Sequence, residues 1–380
     1  MTIIIDSRHR ILGLDAIRAL AILLVLFSHS TLLLFPNENT LVLTAIRFLG
    51  TIGVDLFFVL SGYLIGGIIL KQLEAGKTSL NDFIYFWIRR WFRTLPNYFL
   101  VLVLNILLFY FFSGEIINGL GNYFLFLQNF VTPQPDFFTE SWSLSIEEYA
   151  YIIGPLLLYL IIRLIKPVNK RIWFLWVSVL LIITSAIMRY NFHINHSILS
   201  DGAWSGGLRK VVIYRLDSIY FGFVFIYLMN KYRSAFERYT KTMFVLGFGV
   251  FLSTHILIAL LGLTPVNTPL FFNVFYLPIL SVCLLLLFPS LITIDTFNYV
   301  KLLITKLSII SYALYLLNYS VILLTIQHFT DVCEASLTVK IITLLTYWSL
   351  SIYLSHLLYT YFEKPMMNLR DKPFFKRILS

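Results

Sequence analysis

An arginine and a histidine stand eleven residues apart in an otherwise apolar stretch, RALAILLVLFSH, which runs from Arg18 to His29. In a helix, eleven positions bring both side chains onto one face and separate them by about 16 Å along the axis. A long acyl-coenzyme A would fit this spacing, with its anionic part at Arg18 and its thioester at His29. Histidine suits the thioester end because it can take a proton from an acceptor hydroxyl near neutral pH. The alternative is that Arg18 reaches the headgroups, paired with Asp15, and that His29 is an ordinary interfacial residue.

Carboxylates occur in two later apolar segments, on the half of the membrane where His29 is expected. Asp55 lies in IGVDLFFVLSGYLIGG, and Glu147 and Glu148 lie in SWSLSIEEYAYIIGP. Asp55 is expected near the start of its helix, where it could fix the tautomer of His29 or simply face the headgroups. Of the two glutamates, one could act as a general base or orient His29, while the other complements the helix dipole. The residues alone leave open which glutamate would act.

Further polar residues lie at membrane depth or beside it. The segment FIYFWIRRWFR carries Arg90 and Arg93 and predicts either an interfacial helix that contacts anionic lipid or a binding site for an anion. Arg215 in YRLDSIYFG is expected to be paired inside the protein, because an unpaired charge in the membrane is costly. Weaker candidates lie in SYALYLLN, namely Ser311, Tyr312, Tyr315 and Asn318, and the tyrosines among them are more typical of packing than of chemistry.

These residues must be positioned by membrane-spanning helices. The chain of 380 residues is 59% hydrophobic and 13% charged, whereas soluble domains are about 45–50% apolar and about 25% charged. A bilayer core needs about 20 apolar residues per helix. The sequence predicts an all-α, polytopic membrane protein, in which the first apolar run is a retained helix and not a cleaved signal peptide. Ten runs are long enough to span: 12–35, 48–70, 95–112, 143–165, 172–190, 211–229, 242–262, 270–288, 306–327 and 341–362.

Basic residues indicate the orientation of these helices. If both termini are cytoplasmic, 22 of the 29 Lys and Arg lie in cytoplasmic segments, and Arg18 and Arg215 lie within helices. This asymmetry is typical of ten helices with cytoplasmic ends. We expect one membrane domain over 1–370 and a short basic cytoplasmic tail over 371–380. Five basic residues fall in the outer segments: Arg47, Arg189, Arg209, Lys210 and Lys340.

Charge and cysteine content exclude other classes. The net charge of +10 would suggest a nucleic-acid partner in a soluble protein, but here membrane topology accounts for it. Cys283 and Cys333 form neither a disulfide framework nor a metal-ligand spacing. We therefore expect membrane lipid as a partner, and neither a metal nor nucleic acid.

Seven motifs together resemble the acyltransferase-3 family of integral membrane acyltransferases, in family order and over nearly the whole chain. They are GLDAIRALAILLVLFSH, GVDLFFVLSGYLI, FWIRRWFRTLP, WSLSIEEYAYIIGP, YRLDSIYFGF, SYALYLLN and YFEKP. The resemblance implies transfer of an acyl group, commonly acetyl, from cytoplasmic acyl-CoA to a hydroxyl of an extracytoplasmic or lipid-linked glycan. O-antigen of lipopolysaccharide, capsule, peptidoglycan and other acceptors stay open. It also implies a multi-pass protein of the cytoplasmic (inner) membrane, with a homo-oligomer or glycan-assembly proteins as possible partners.

The resemblance assigns roles to the donor-side residues. Arg18 and His29 match the essential pair of the family, and Arg90 and Arg93 match a basic motif that serves coenzyme A. Where many members have a histidine, this chain has Asn318. Some members also carry a C-terminal esterase-like domain, and we expect this chain to lack one, so that a single membrane module acts alone or with a partner.

On the acceptor side, Asp55, Trp142 and Glu148 match polar or structural positions of the family. The catalytic set implied by the resemblance is thus His29, Glu148 and Asp55. Substrate-binding or structural roles are expected for Trp142, Glu147, Arg215, Tyr312 and Asn318.

A transporter or glycan flippase is the competing hypothesis, because intramembrane charges also line transport paths. Transporters often show internal repeats and paired broken helices, and neither is evident in this sequence. A transporter would have no reason to bind acyl-CoA through Arg18 or Arg90, which makes acyl-CoA binding the discriminating property.

Overall fold

A computed structural model describes residues 10–38, 40–296 and 298–370, and the regular structure within these ranges is entirely helical. Ten helices in them are long and apolar enough to cross a membrane, as the sequence predicts. They are α1 (Leu12–Leu34), α2 (Leu41–Glu74), α3 (Leu80–Ser113), α4 (Ser141–Ile165), α5 (Lys170–Asn195), α6 (Val212–Lys231), α7 (Thr240–Leu260), α8 (Phe271–Ile292), α9 (Asn298–Phe329) and α10 (Leu337–Arg370).

Short helical segments connect or interrupt these spans. Three of the spans contain π-helical turns, which often mark functional positions. The π-helical turns are Phe271–Tyr276 in α8, Asn318–Leu323 in α9 and Tyr359–Glu363 in α10. Between the spans lie Gly121–Phe124, Asp201–Trp204, the π turn Ser205–Arg209 and Arg233–Arg238.

Two helices extend well beyond their predicted ends. The 34-residue α2 begins at Leu41, so Asp55 lies in its middle, and the expectation that Asp55 is near a helix start is wrong. The 34-residue α3 begins at a capping box between Ser79 and Asp82, and its first half contains the basic aromatic segment FIYFWIRRWFR. That segment is therefore continuous with the third span. The predicted tail, 371–380, lies outside the described residues.

Helices α2 and α6 cross with their backbones in contact. A Cβ placed on Gly62 would lie 2.0 Å from the carbonyl oxygen of Ile219, and one placed on Gly222 would lie 2.5 Å from the amide nitrogen of Tyr63. Only glycine permits such an approach, which is a common device of helix packing in membranes. The crossing holds the polar residues of α2 against those of α6.

Replacing Gly62 by valine should destabilise the protein by about 1–3 kcal/mol or more, because the new side chain meets rigid backbone. The measurement is the thermal unfolding temperature of the purified variant, together with its yield as monodisperse protein. Gly249→Val is the matched control, since a Cβ at Gly249 on α7 meets nothing within 4 Å. Equal unfolding temperatures for the two variants would contradict the close crossing.

Two buried ion pairs join α2, α5 and α6. Arg215 donates to Asp55, as expected for an arginine paired inside, and Nη1 of Arg189 lies 2.7 Å from Oδ2 of Asp217. Arg189 also donates to the carbonyl oxygen of Tyr214 at 2.8 Å. Arg189, which the sequence analysis placed in an outer segment, is fully buried within α5.

Candidate active site

His29 is held by an amide side chain from α9. Its Nδ1 lies 2.5 Å from Oδ1 of Asn318, and Nδ2 of Asn318 donates to the carbonyl oxygens of Leu314 and Tyr315 at 2.6 and 2.9 Å. Because both amide hydrogens are taken by carbonyls, the oxygen must face the imidazole, and Nδ1 must carry the ring proton. Nε2 then keeps its lone pair, and no described residue makes a hydrogen bond to it. His29 is thus arranged as a base at Nε2.

A local break in α9 places Asn318. This residue begins the π-helical turn, and the hydroxyl of Tyr347 also approaches its Oδ1 at 3.4 Å. The next residue, Tyr319, packs its ring 4.8 Å from the ring of His29. The sequence predicted a substrate-binding or structural role for Asn318, and in the structure it is the side chain that orients His29. The signal was present in SYALYLLN as a polar residue within an apolar span.

We call the space beside His29 the histidine cavity, and its volume is about 210 Å³. It is enclosed by α1, α2 and α9 together with the residues that precede α4 and α6. Its lining combines hydroxyl, aromatic, acidic and basic side chains. The polar and aromatic ones are Ser28, His29, Arg47, Thr51, Thr139, Glu140, Trp142, Arg209, Lys210, Tyr315 and Tyr319.

Glu140 is a carboxylate of this cavity that the sequence interpretation missed. One carboxyl oxygen accepts hydrogen bonds from the hydroxyl and amide of Ser320 at 2.5 and 3.3 Å, and the other has no partner among the described residues. Burial raises the pKa of Glu140 to about 7. The sequence signal was the third acid beside WSLSIEEY, directly before the helix.

A second space, the arginine cavity, has a volume of about 220 Å³ and lies toward Arg18. The two cavities share Val54 and Tyr315 as lining residues, so they adjoin there. The polar and charged lining residues of the arginine cavity are Arg18, Ser61, Arg90, Arg93, Thr94, Ser143, Glu147, Ser311, Tyr312 and Tyr315.

A third space, the basic vestibule, adjoins the arginine cavity on the side away from His29. It has a volume of about 780 Å³ and shares Arg90 and Arg93 with the arginine cavity. Three adjoining spaces therefore run along the helices from a basic mouth to His29. The basic residues that line the vestibule are Lys71, Lys77, Arg89, Arg90, Arg93 and Arg370.

Arg18 makes the predicted contact with Asp15 and also lines the arginine cavity. Its Nη1 lies 3.6 Å from Oδ1 of Asp15, as in the predicted pair, and also contacts the Ser308 hydroxyl at 3.2 Å. Arg10 is the closer partner of Asp15, at 2.5 and 2.8 Å. The Arg18 guanidinium is therefore anchored, and its residue still lines the arginine cavity.

The two glutamates of α4 differ in their surroundings, and neither contacts His29. Glu147 lies 3.3 Å from Nη2 of Arg90 and accepts a hydrogen bond from the Tyr151 hydroxyl at 2.8 Å. Glu148 is buried and accepts from the Thr94 hydroxyl at 2.8 Å. Only Glu147 is among the lining residues of the arginine cavity. Glu148 makes no contact with His29 in the described structure, so its catalytic role stays a prediction.

Asp55 does not hold the tautomer of His29 as expected. It faces α6 because the buried Arg215 lies there, and Asn318 occupies the position next to His29. Asp55 lines neither the histidine cavity nor the arginine cavity. Asp55 thus makes a structural contact with Arg215. No contact with His29 supports its proposed catalytic role.

The predicted aromatic residues divide between the cavities. Trp142 lines the histidine cavity, and the guanidinium of Arg209 lies 4.9 Å from its ring centre. Tyr312 lines the arginine cavity and donates to the carbonyl oxygen of Thr94 at 2.8 Å. Tyr315, in the shared wall, has its hydroxyl 2.7 Å from that of Ser143.

Comparison with known proteins decides the family. The family model of the acyltransferase domain, of the acyltransferase-3 type, matches residues 11–370. The chain belongs to the acyltransferase-3 family. Its ten apolar helices and this membership make it a multi-pass membrane protein.

Several curated proteins are similar to this acyltransferase-3 chain over part of their length. Peptidoglycan O-acetyltransferase OatA of Listeria monocytogenes is 33% identical over 177 residues, which cover 42% of this chain and 26% of OatA. YrhL of Bacillus subtilis, provisionally named a peptidoglycan O-acetyltransferase, is 34% identical over 200 residues, 48% of this chain and 28% of YrhL. The match thus spans less than a third of the length of these curated relatives. No solved structure matches.

Proposed function

We propose that this protein is a membrane O-acyltransferase that moves an acyl group, most simply acetyl, from acyl-CoA to a hydroxyl of a surface glycan. The observation that carries the proposal is the row of three adjoining cavities. It begins at a basic vestibule, passes Arg18 and ends at the Nε2 base of His29. The family membership and the O-acetyltransferase names of OatA and YrhL support the same reaction class.

Each cavity suits a different part of the acyl-CoA donor: the phosphates, the extended arm or the thioester. Arg90 and Arg93 line both the vestibule and the arginine cavity, where cationic side chains suit phosphate groups. The extended arm of the donor would then follow the arginine cavity past Arg18. The spacing of about 16 Å between Arg18 and His29 brings the thioester to the histidine cavity.

His29 supplies the proton transfer in this proposal. Its Nε2 takes the proton of the acceptor hydroxyl, whose oxygen attacks the thioester carbonyl carbon. The carbon–sulfur bond then breaks, and the coenzyme A sulfur leaves with the proton held by His29. Asn318 acts as a positioning residue, because its Oδ1 accepts the Nδ1 hydrogen and stabilises the imidazolium during the step.

The direction of transfer follows from the charge asymmetry of the chain. The vestibule gathers six basic residues, and basic residues concentrate on the cytoplasmic side of membrane proteins. We place the vestibule in the cytoplasm, where acyl-CoA is made, and the histidine cavity on the outer half of a cytoplasmic membrane. The acceptor is then an extracytoplasmic or lipid-linked glycan. The names of OatA and YrhL put peptidoglycan beside O-antigen and capsule as acceptor classes.

Acyl-CoA binding tests the donor assignment and separates it from a glycan flippase. Arg93→Gln should weaken acetyl-CoA binding about tenfold, because one charge-assisted contact to phosphate is lost. The measurement is titration calorimetry with acetyl-CoA on the purified protein in lipid nanodiscs.

Arg163→Gln is the matched control for this titration. Arg163 is an exposed arginine near the end of α4. It lies in the same half of the helix bundle as the vestibule but lines none of the three cavities. We expect wild-type affinity for this variant. Absence of acetyl-CoA binding by the wild-type protein would favour a transporter.

A further inference from the structure

Two basic residues of the histidine cavity, Arg209 and Lys210, form no ion pair within the described part of the chain. Arg47, Arg209 and Lys210 line it together with His29, and Glu140 is its acidic lining residue. Among the described residues, no carboxylate oxygen lies within 4.0 Å of the charged nitrogens of Arg209 or Lys210. The cavity therefore holds cations whose charge is not balanced by an ion pair.

Arg209 is positioned as a binding group. It is only 8% exposed, its Nε donates to the Ser205 hydroxyl at 3.1 Å, and its guanidinium packs on the ring of Trp142. These contacts fix the plane of the guanidinium. Its Nη1 is buried without a hydrogen-bond partner among the described residues. A buried donor that lacks a partner is costly unless a ligand supplies the acceptor.

The pKa of Lys210 is lowered by its surroundings in the histidine cavity. Burial, and to a smaller extent the neighbouring Arg209, lower the pKa of Lys210 to about 8, although Asp136 opposes the shift. Glu140 forms no ion pair with either cation, since no oxygen of Glu140 lies within 4.0 Å of their charged nitrogens in the described part of the chain. An anion entering the cavity would stabilise both cations.

We propose that the acceptor carries an acidic group, a carboxylate or a phosphate, which Arg209 and Lys210 bind in the histidine cavity beside the hydroxyl that is acylated. The proposal rests on the proposed function and narrows its acceptor to acidic glycans. Arginine is suited to the planar, two-oxygen geometry of these groups, and lysine adds a point charge. A different role for the same cations would be to stabilise the oxyanion that forms at the thioester carbonyl.

The double variant Arg209→Gln/Lys210→Gln separates these roles. Membranes from producing cells, which contain the native acceptor, are given radiolabelled acetyl-CoA. Label in the glycan reports transfer, and free coenzyme A formed in membranes stripped of glycan reports hydrolysis by water. We expect transfer at limiting acceptor to fall at least about tenfold while hydrolysis stays at the wild-type rate.

Lys340→Gln is the matched control, because Lys340 is another predicted outer cation that lies over the ring of Phe35 and does not line the cavity. It should leave both readouts unchanged. An equal fall of transfer and hydrolysis in the double variant would assign the cations to the oxyanion and overturn the proposal, as would unchanged transfer. If the wild-type protein consumes no acetyl-CoA in either assay, the proposed function itself fails.

A second measurement does not depend on the folding of any variant. Glycan from wild-type cells is digested to its smallest acetylated fragments, and mass spectrometry determines their composition. We expect a carboxylate or phosphate on the acetylated sugar or on the sugar next to it. Acetylation confined to neutral units would overturn the proposal, and the kind of acid found distinguishes carboxylate from phosphate.

Discussion

Replacing His29 by alanine should lower acyl transfer by about 10²–10⁴-fold, the range that a positioned general base contributes. The loss follows from the tautomer that Asn318 enforces, since Nε2 is the nitrogen left with a lone pair in the cavity. The measurement is the rate of label transfer from acetyl-CoA to glycan in isolated membranes, at equal protein levels. Binding of acetyl-CoA at Arg93 should change little, because Arg93 lines the arginine cavity and His29 lines the histidine cavity.

His29→Gln is the informative partner of this variant. A glutamine amide can still donate a hydrogen bond to Asn318 and fill most of the space, but it cannot take a proton at neutral pH. Both variants should therefore be equally inactive. Near-normal transfer by the glutamine variant would mean that His29 only supports the packing of α1 against α9.

The spans and the relation between Arg18 and His29 could be predicted because both depend on local periodicity. Helix length is fixed by the apolar runs, and the eleven-residue spacing fixes a common face. The structure adds that this face borders two adjoining cavities, with Arg18 in one and His29 in the other. The sequence could not show the cavities, because their walls come from helices distant in the chain.

The partner of His29 was assigned wrongly for a similar reason. Asp55 and the glutamates were expected near it because carboxylates commonly orient histidines. Asn318 is 289 residues away and reaches His29 through a π-helical turn that periodicity does not reveal. Glu140 was overlooked because its hydrogen-bond partner, Ser320, is distant in the chain and lies in the same π-helical turn.

Asp55→Leu should destabilise the protein by about 3–5 kcal/mol, because it leaves the cation of Arg215 buried without its carboxylate. The measurement is thermal unfolding of purified protein in nanodiscs. Glu237→Leu is the matched control, since its pair with Arg233 is exposed and should contribute little. Equal unfolding temperatures for the two variants would contradict a structural role for the Asp55–Arg215 pair.

The double variant Asp55→Leu/Arg215→Met then decides whether Asp55 also takes part in the reaction. Replacing both charges by apolar side chains removes the uncompensated cation, so most of the lost stability should return. We expect this folded double variant to keep at least about a tenth of the wild-type transfer rate, because Asp55 lines neither the arginine nor the histidine cavity and Asn318 still orients His29. A variant that folds normally yet loses transfer as completely as His29→Ala would return Asp55 to the catalytic set. The single variant cannot make this distinction, since unfolding and loss of a catalytic carboxylate both abolish transfer.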